Sequence, residues 1–218
     1  MSIEKINAAK GALRYVKDGM VIGLGSGTTA REFIYLLAER IKQGLDISAV
    51  TTSLDSRFIA KSLGIKILEL DQVERIDLAV DGADVATKTS LLKGGGGALT
   101  REKIVGYAAK NFIIIADPSK LQPKLSGKLV VEVVPFAYSF ALTQLKNYSK
   151  DASVRLSSEK LGPTITDNGN FLIDVPMEIK DPKKIELELN SIPGVVENGI
   201  FTKFSRLIIG QENGFKEF

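Results

Sequence analysis

The chain has 218 residues, with 29 Lys and Arg against 26 Asp and Glu and a formal net charge of +3. Acids and bases are interspersed, no basic cluster lies beside aromatic residues, and no apolar run is long enough to span a bilayer, so neither nucleic acid nor membrane is an expected partner. Cysteine and histidine are both absent, which excludes disulfides, thiolate catalysis and thiolate or imidazole metal sites and leaves proton transfer to carboxylates, lysines, tyrosines or water.

In chain order, apolar periodicity predicts an amphipathic helix over Ile3 to Val16, a strand over Met20 to Leu24 and a helix over Thr28 to Gln43. A strand over Ile47 to Thr51, a helix over Leu54 to Leu63 and short strands over Lys66 to Leu68 and Ile76 to Val80 follow. A helix from Arg101 to about Lys110 and the apolar strand Phe112 to Ala116 complete the first pattern. This alternation predicts a Rossmann-like parallel sheet with helices on both faces. From Lys128 the grammar changes. Strand Leu129 to Val134, helix Phe136 to Tyr148, strands Ser153 to Ser157 and Phe171 to Val175, helix Pro182 to Ser191 and strand Val195 to Glu197 spell β-α-β-β-α-β. That order is the split ferredoxin-like unit, a second, smaller α+β domain. The last strands, Ile200 to Lys203 and Leu207 to Ile209, are expected to return to the first domain, giving domains 1–127 plus 199–218 and 128–198. Met1-Ser2-Ile3-Glu4-Lys5 has no signal-peptide pattern, and a cytoplasmic location is expected.

Three motifs carry chemistry. The strand ending at Leu24 breaks into Gly25-Ser26-Gly27-Thr28-Thr29-Ala30 before a helix. Backbone N–H groups, the Ser26, Thr28 and Thr29 hydroxyls and the positive end of the helix dipole converge there, a geometry suited to phosphate. The segment also fits the loose dinucleotide pattern G-x-G-x-x-A, but the acid expected at the end of the next strand is missing from Ala49-Val50-Thr51-Thr52. No Gly-Lys-Ser/Thr follows, so a small phosphorylated ligand fits better than NAD or ATP, with a plain strand-to-helix turn as the structural alternative.

Asp81-Gly82-Ala83-Asp84 follows the apolar run Ile76 to Val80 and brings two carboxylates to the carboxyl end of a buried strand, where open α/β sheets bind ligands. An Asx-type turn accounts for one of them. Lys93-Gly94-Gly95-Gly96-Gly97 then runs into Leu99-Thr100-Arg101-Glu102-Lys103. Four glycines are entropically costly and make sense where backbone must approach a ligand closely, with N–H groups aimed at negative charge. Lys93 supplies a cation and Glu102 a proton carrier on either side. The structural alternative is a loop capped by Thr100; the capping-box position then falls on Lys103, and Glu102 is explained by first-turn charge alone. Lys120, after the strand ending at Ala116, is placed by Pro118 to turn back over the sheet edge, or else is an ordinary surface lysine. The turns Asp167-Asn168-Gly169-Asn170 and Ile192-Pro193-Gly194 are expected to be structural.

These motifs, with Thr166 to Asn170 and Ile192-Pro193-Gly194-Val195-Val196, resemble the ribose-5-phosphate isomerase type A family in order and spacing over nearly the whole chain. Val85 departs from it, standing where the family usually carries a glutamate. The resemblance implies interconversion of D-ribose 5-phosphate and D-ribulose 5-phosphate through an enediolate, in the non-oxidative branch of the pentose phosphate pathway, by a homodimer or homotetramer. It assigns proton transfer to Glu102 and the sugar oxygens to Asp81, Asp84 and Lys93, with backbone N–H groups from Gly94, Gly95 and Gly96. Ligand contacts fall on Ser26, Gly27, Thr28, Thr29, Gly82, Ala83 and Lys120. No cofactor and no metal are expected, since Lys93 and backbone amides supply the electrostatics an enediolate needs. The competing readings are a non-catalytic sugar-phosphate sensor, a coenzyme-A transferase with a carboxylate nucleophile and, weakest, a nicotinamide dehydrogenase.

Overall fold

The computed structural model describes residues 2–218. In chain order its elements are α1 (Ile3–Leu13), β1 (Val21–Leu24), α2 (Thr28–Lys42), β2 (Ser48–Thr51), α3 (Leu54–Ser62), β3 (Ile76–Asp81), β4 (Val85–Ala86), β5 (Leu91–Leu92), α4 (Leu99–Ala108) and β6 (Ala109–Ala116). Then come β7 (Leu125–Val133), α5 (Tyr138–Leu145), β8 (Ser153–Val154), β9 (Phe171–Ile179), α6 (Pro182–Asn190), β10 (Val195–Asn198), β11 (Ile200–Phe201), β12 (Arg206–Gln211) and β13 (Gly214–Glu217). Contacts divide them into two compact units. The first runs up to Ala83 and takes in Arg101–Leu121 and Lys203–Phe218; the second holds Asp84–Thr100 and Gln122–Thr202.

The first unit is a six-stranded sheet in the order β13-β12-β6-β3-β1-β2, parallel except for the β12–β13 hairpin. Val21↔Ser48 and Ile22↔Leu78 fix the central register, so Leu24, Thr51 and Asp81 all end at one edge of the sheet. The chain goes from β1 to β2 on one side and crosses back to β3 on the other, which makes the β1/β3 boundary the switch point where such sheets hold ligands. Phe33, Ile34 and Leu37 of α2 and Ala8, Ala9 and Ala12 of α1 are buried in the same apolar core as Ile22, Leu24, Val80 and Ile115 of the strands. The alanine face of α1 allows close approach: a Cβ on Gly11 would come within 2.8 Å of Ile208 on β12.

The second unit contains a four-stranded antiparallel sheet, β10-β7-β9-β8, whose chain order is the split β-α-β-β-α-β arrangement of a ferredoxin-like domain. A small antiparallel sheet, β11-β5-β4, accompanies it. Val85, Leu92 and Ile200 share the core of Leu129, Val131, Ile173 and Val175. These contacts place 84–100 in the second unit, whereas the sequence put everything up to residue 127 in the first. Ile200–Phe201 likewise pairs with Leu91–Leu92 and stays in the second unit, so of the two strands expected to return to the first domain only Arg206–Gln211 does. The strand expected over Lys66 to Leu68 reduces to one parallel bridge, Ala49↔Ile67.

Candidate active site

In the first unit the carboxyl ends of the parallel strands gather the hydroxyls, one buried carboxylate and two lysines. Asp81, 2 % exposed, closes β3; its Oδ1 accepts the N–H of Ser26 at 3.1 Å and that of Gly82 at 2.7 Å. Gly25 is what makes this possible, since a Cβ there would stand 2.2 Å from the Asp81 carboxyl carbon. Gly27, with φ +94°, turns the chain into α2 in a conformation other residues avoid. Ser26 Oγ lies 2.8 Å from Thr52 Oγ1 and donates to Ser53 Oγ at 2.6 Å, tying the turn to the end of β2 and the N-cap of α3. Thr28 is exposed at the first turn of α2, and Lys5 Nζ of α1 donates to its Oγ1 at 2.9 Å. Lys5 therefore adds a cation to a loop already rich in donors. Lys120 ends the 3-10 turn Pro118–Lys120 after β6, at the same sheet edge.

Helix α4 crosses from β3 to β6, so its N-terminus lies at the carboxyl edge of this sheet. Its packing face is set by Val105, whose Cγ1 occupies the space beside Gly23 of β1, and by Gly106, seated on the Phe112 ring of β6. Glu102 precedes both by one turn and shares that face. It is 5 % exposed, a buried carboxylate in a first helical turn.

The second unit supplies the glycine turn. Lys93, 3 % exposed, follows β5; its backbone N–H donates to Gly199 O at 2.9 Å, and its Nζ lies 5.7 Å from the centroid of the Phe201 ring. Gly94 has φ +106° and Gly97 φ +80°, and Gly97 N–H closes the turn on Gly94 O at 3.0 Å. Asp84 Oδ2 accepts the Gly95 N–H at 2.7 Å, and a Cβ on Gly95 would come within 2.7 Å of the same carboxylate. Gly96 differs from its neighbours. Its φ is not positive and a Cβ there meets nothing within 4 Å, so the fold itself does not demand glycine at 96.

Thr100 is not the N-cap expected from sequence. Helix α4 begins at Leu99, and the Thr100 hydroxyl donates instead to Glu132 Oε2 at 2.6 Å. Glu132 is fully buried, and its Oε1 accepts from Thr166 Oγ1, Asn168 Nδ2 and Asn170 Nδ2 at 2.8, 3.0 and 2.8 Å. The Thr166 to Asn170 motif is thus a set of donors for one buried carboxylate, as well as a turn.

The family model described as Ribose 5-phosphate isomerase A (phosphoriboisomerase A) matches residues 48–214. The chain belongs to this family. The ribose-5-phosphate isomerase A of Methanococcus aeolicus is 48 % identical over 214 residues, covering 96 % of this chain and 92 % of that protein. The solved structure of ribose 5-phosphate isomerase A from Methanocaldococcus jannaschii superposes with a TM-score of 0.94 at 45 % identity, covering 98 % of this chain and 97 % of that one. A D-ribose-5-phosphate isomerase in complex with phospho-erythronic acid gives a TM-score of 0.96 at 44 % identity, covering 100 % of this chain and 99 % of that one.

Within this isomerase-family chain, Ser26, Gly27, Thr28, Thr29, Asp81, Gly82, Ala83, Glu102 and Lys120 belong to the first unit, and Asp84, Lys93, Gly94, Gly95 and Gly96 to the second. The chain passes between units directly after Ala83 and directly after Thr100, inside the aspartate motif and at the start of the helix that carries Glu102. Four side chains that touch these motifs carry no pattern in the sequence analysis: Lys5, Thr52, Ser53 and Arg155, whose Nη1 donates to Gly94 O and Gly95 O at 3.0 Å each. Thr52-Ser53 at a strand end was a readable signal; Lys5 and Arg155 sit in unremarkable stretches and are brought in by the fold. Among the described residues no group of three or more acidic side chains is placed to hold a metal ion, and no helix is long and apolar enough to cross a membrane.

Proposed function

We propose that this chain carries out its family's reaction, the aldose–ketose interconversion of D-ribose 5-phosphate and D-ribulose 5-phosphate, with Glu102 as the base. The open-chain sugar has its aldehyde at C1. Glu102 takes the C2 proton, the electrons move into a C1–C2 double bond, and negative charge develops on the carbonyl oxygen. Lys93 and the N–H of Gly96 stabilise that oxygen. Glu102 then returns the proton to C1, a proton passes from the C2 oxygen to the C1 oxygen, and the ketose results. Asp81 and Asp84 orient the sugar hydroxyls and assist ring opening. Ser26, Gly27, Thr28, Thr29, Lys120 and Lys5 hold the phosphate or its neighbouring hydroxyls by hydrogen bonds, charge and the dipole of α2.

The observation that carries this reading is a buried carboxylate in the first turn of α4, on the face turned to the sheet, in a chain that has no histidine to act as base. A relative solved with phospho-erythronic acid supports it: that ligand is a phosphorylated four-carbon sugar acid, and its carboxylate has the planar, shared charge of an enediolate. The test is turnover of ribose 5-phosphate to ribulose 5-phosphate by the purified chain in chelator-treated buffer. Binding without turnover would indicate a sensor, and ping-pong kinetics with an acyl donor a transferase.

A homo-oligomer, dimer or tetramer, is part of the proposal. Phe136, 99 % exposed, and Phe140, exposed four residues further on, support it, because large apolar side chains left in water gain by burial against a partner. Sedimentation equilibrium tests it. A cytoplasmic location is also proposed and is tested by cell fractionation.

A further inference from the structure

We propose that Arg155 is a positioning residue for the isomerisation: its guanidinium fork fixes the peptide planes of the glycine turn so that the Gly96 N–H is presented to the enediolate oxygen. The proposal rests on the reading of that turn as the oxyanion-binding element.

Arg155 follows β8 and is held by backbone on both sides, its N–H on Leu172 O and its carbonyl under Thr164 N–H, each at 2.8 Å. The guanidinium is divided between two tasks. Nε lies 3.0 and 3.2 Å from the two carboxylate oxygens of Asp174, and Nη2 donates to Oδ1 of the same group. Nη1 donates to Gly94 O and to Gly95 O, each at 3.0 Å. The Arg155 and Asp174 side chains are largely buried, 15 % and 14 % exposed, which strengthens the ion pair that anchors the fork.

Peptide planarity converts these bonds into an orientation. In a trans peptide the C=O and the following N–H point in opposite directions. With the Gly94 carbonyl held by Arg155 and Gly97 N–H, the Gly95 N–H is turned to the far side, where Asp84 Oδ2 accepts it. With the Gly95 carbonyl also held by Arg155, the Gly96 N–H is aimed away from the guanidinium, at the one glycine of this turn whose Cβ position is open space. Four consecutive glycines have many accessible peptide orientations, and a donor that must be in place before charge develops cannot be left to choose among them. Lysine would keep the charge at 155 but lacks the planar fork that serves carboxylate and carbonyls together.

The test compares kcat and KM for ribose 5-phosphate and thermal unfolding of the full chain in wild type, Arg155→Ala, Arg155→Lys, Asp174→Asn and Glu102→Gln. Arg155→Ala is expected to lower kcat roughly 10- to 100-fold, as a misaimed oxyanion donor does, with KM within about threefold. Arg155→Lys is expected to leave most of that loss in place, and Asp174→Asn to lose kcat in the same direction by a smaller factor. A kcat for Arg155→Ala less than about fivefold below wild type, or a loss carried by KM alone, overturns the proposal. If thermal unfolding shows that Arg155→Ala is not folded, Asp174→Asn decides by whether kcat falls at all while KM holds. Glu102→Gln separates the two claims: if it keeps turnover, the reading of the reaction fails, whereas an inactive Glu102→Gln beside a normal Arg155→Ala removes only the positioning role.

Discussion

Asp81 Oδ1 accepts the backbone N–H of Ser26 at 3.1 Å, joining the end of β3 to the turn after β1 at the switch point of the parallel sheet. The bond exists because residue 25 has no side chain, the Asp81 carboxyl carbon lying 2.2 Å from where a Cβ would be. Gly25→Ala is therefore expected to break the Asp81–Ser26 link. Backbone and a buried carboxylate cannot both stay in place, and a loss of about 1–3 kcal/mol in stability is expected together with loss of activity. Denaturant unfolding with an activity assay checks it, and a fully active, equally stable variant would contradict the packing described.

The two hydroxyls of the same turn should behave differently. Thr28 is exposed and pairs with Lys5, so Thr28→Val is expected to raise KM by a factor corresponding to roughly 1.5–3 kcal/mol with kcat and stability little changed. Ser26 is bonded to Thr52 and Ser53, so Ser26→Ala is expected to lower thermal stability as well, by about 1 kcal/mol. Steady-state kinetics and thermal unfolding of the pair distinguish them. A fall in kcat at constant KM for Thr28→Val would move this loop from the phosphate to the reacting carbons.

Gly96 offers a separation of folding from ligand contact. Its backbone conformation suits any residue and a Cβ meets nothing within 4 Å, so Gly96→Ala is expected to unfold within about 0.5 kcal/mol of wild type. If the open space is where the sugar lies, the same variant loses substrate affinity or turnover by at least about tenfold. Wild-type kinetics for Gly96→Ala would show that the run of glycines is longer than the ligand requires.

Glu132 should be a stability residue. Its carboxylate collects Thr100, Thr166, Asn168 and Asn170 in a fully buried setting. Glu132→Ala strands all these donors and is expected to cost about 3–5 kcal/mol. Glu132→Gln keeps an acceptor for three of them, and the Thr100 hydroxyl can rotate to accept from the new amide, so the cost falls to about 1–3 kcal/mol. Urea unfolding of the two variants gives the ranking; equal destabilisation would argue against the hydrogen-bond account.

The parallel sheet and the ferredoxin-like unit were legible because each long element carries its own periodicity, as Thr28–Lys42 and Phe171–Ile179 do. Val85–Ala86, Leu91–Leu92 and Ile200–Phe201 were not, since two-residue strands have no period to read and are defined only by their partners. The same limit explains the misplaced segment 84–100, whose allegiance is decided by packing with Leu129 and Val175. Asn168 and Asn170 show only turn character in the sequence because the carboxylate that they and Thr166 serve lies more than 30 residues earlier. The motif residues themselves were found through short-range pattern. Lys5, 23 residues from Thr28, and Arg155, some 60 from the glycine turn, join them through tertiary structure alone.

The most direct test of the central claim is exchange of the substrate C2 proton with solvent in Glu102→Gln, followed by NMR in deuterated water beside steady-state turnover. Glutamine keeps the size and hydrogen-bonding capacity of the side chain but cannot accept and return a proton, so binding is expected to survive while turnover falls by ~10²–10⁴-fold and exchange disappears. Lys93→Ala should also slow turnover, through lost charge stabilisation, yet still show exchange. Near-normal isomerisation and exchange in Glu102→Gln would contradict the account, transferring the base to Asp81 or Asp84 and leaving Glu102 a favourable charge at a helix start.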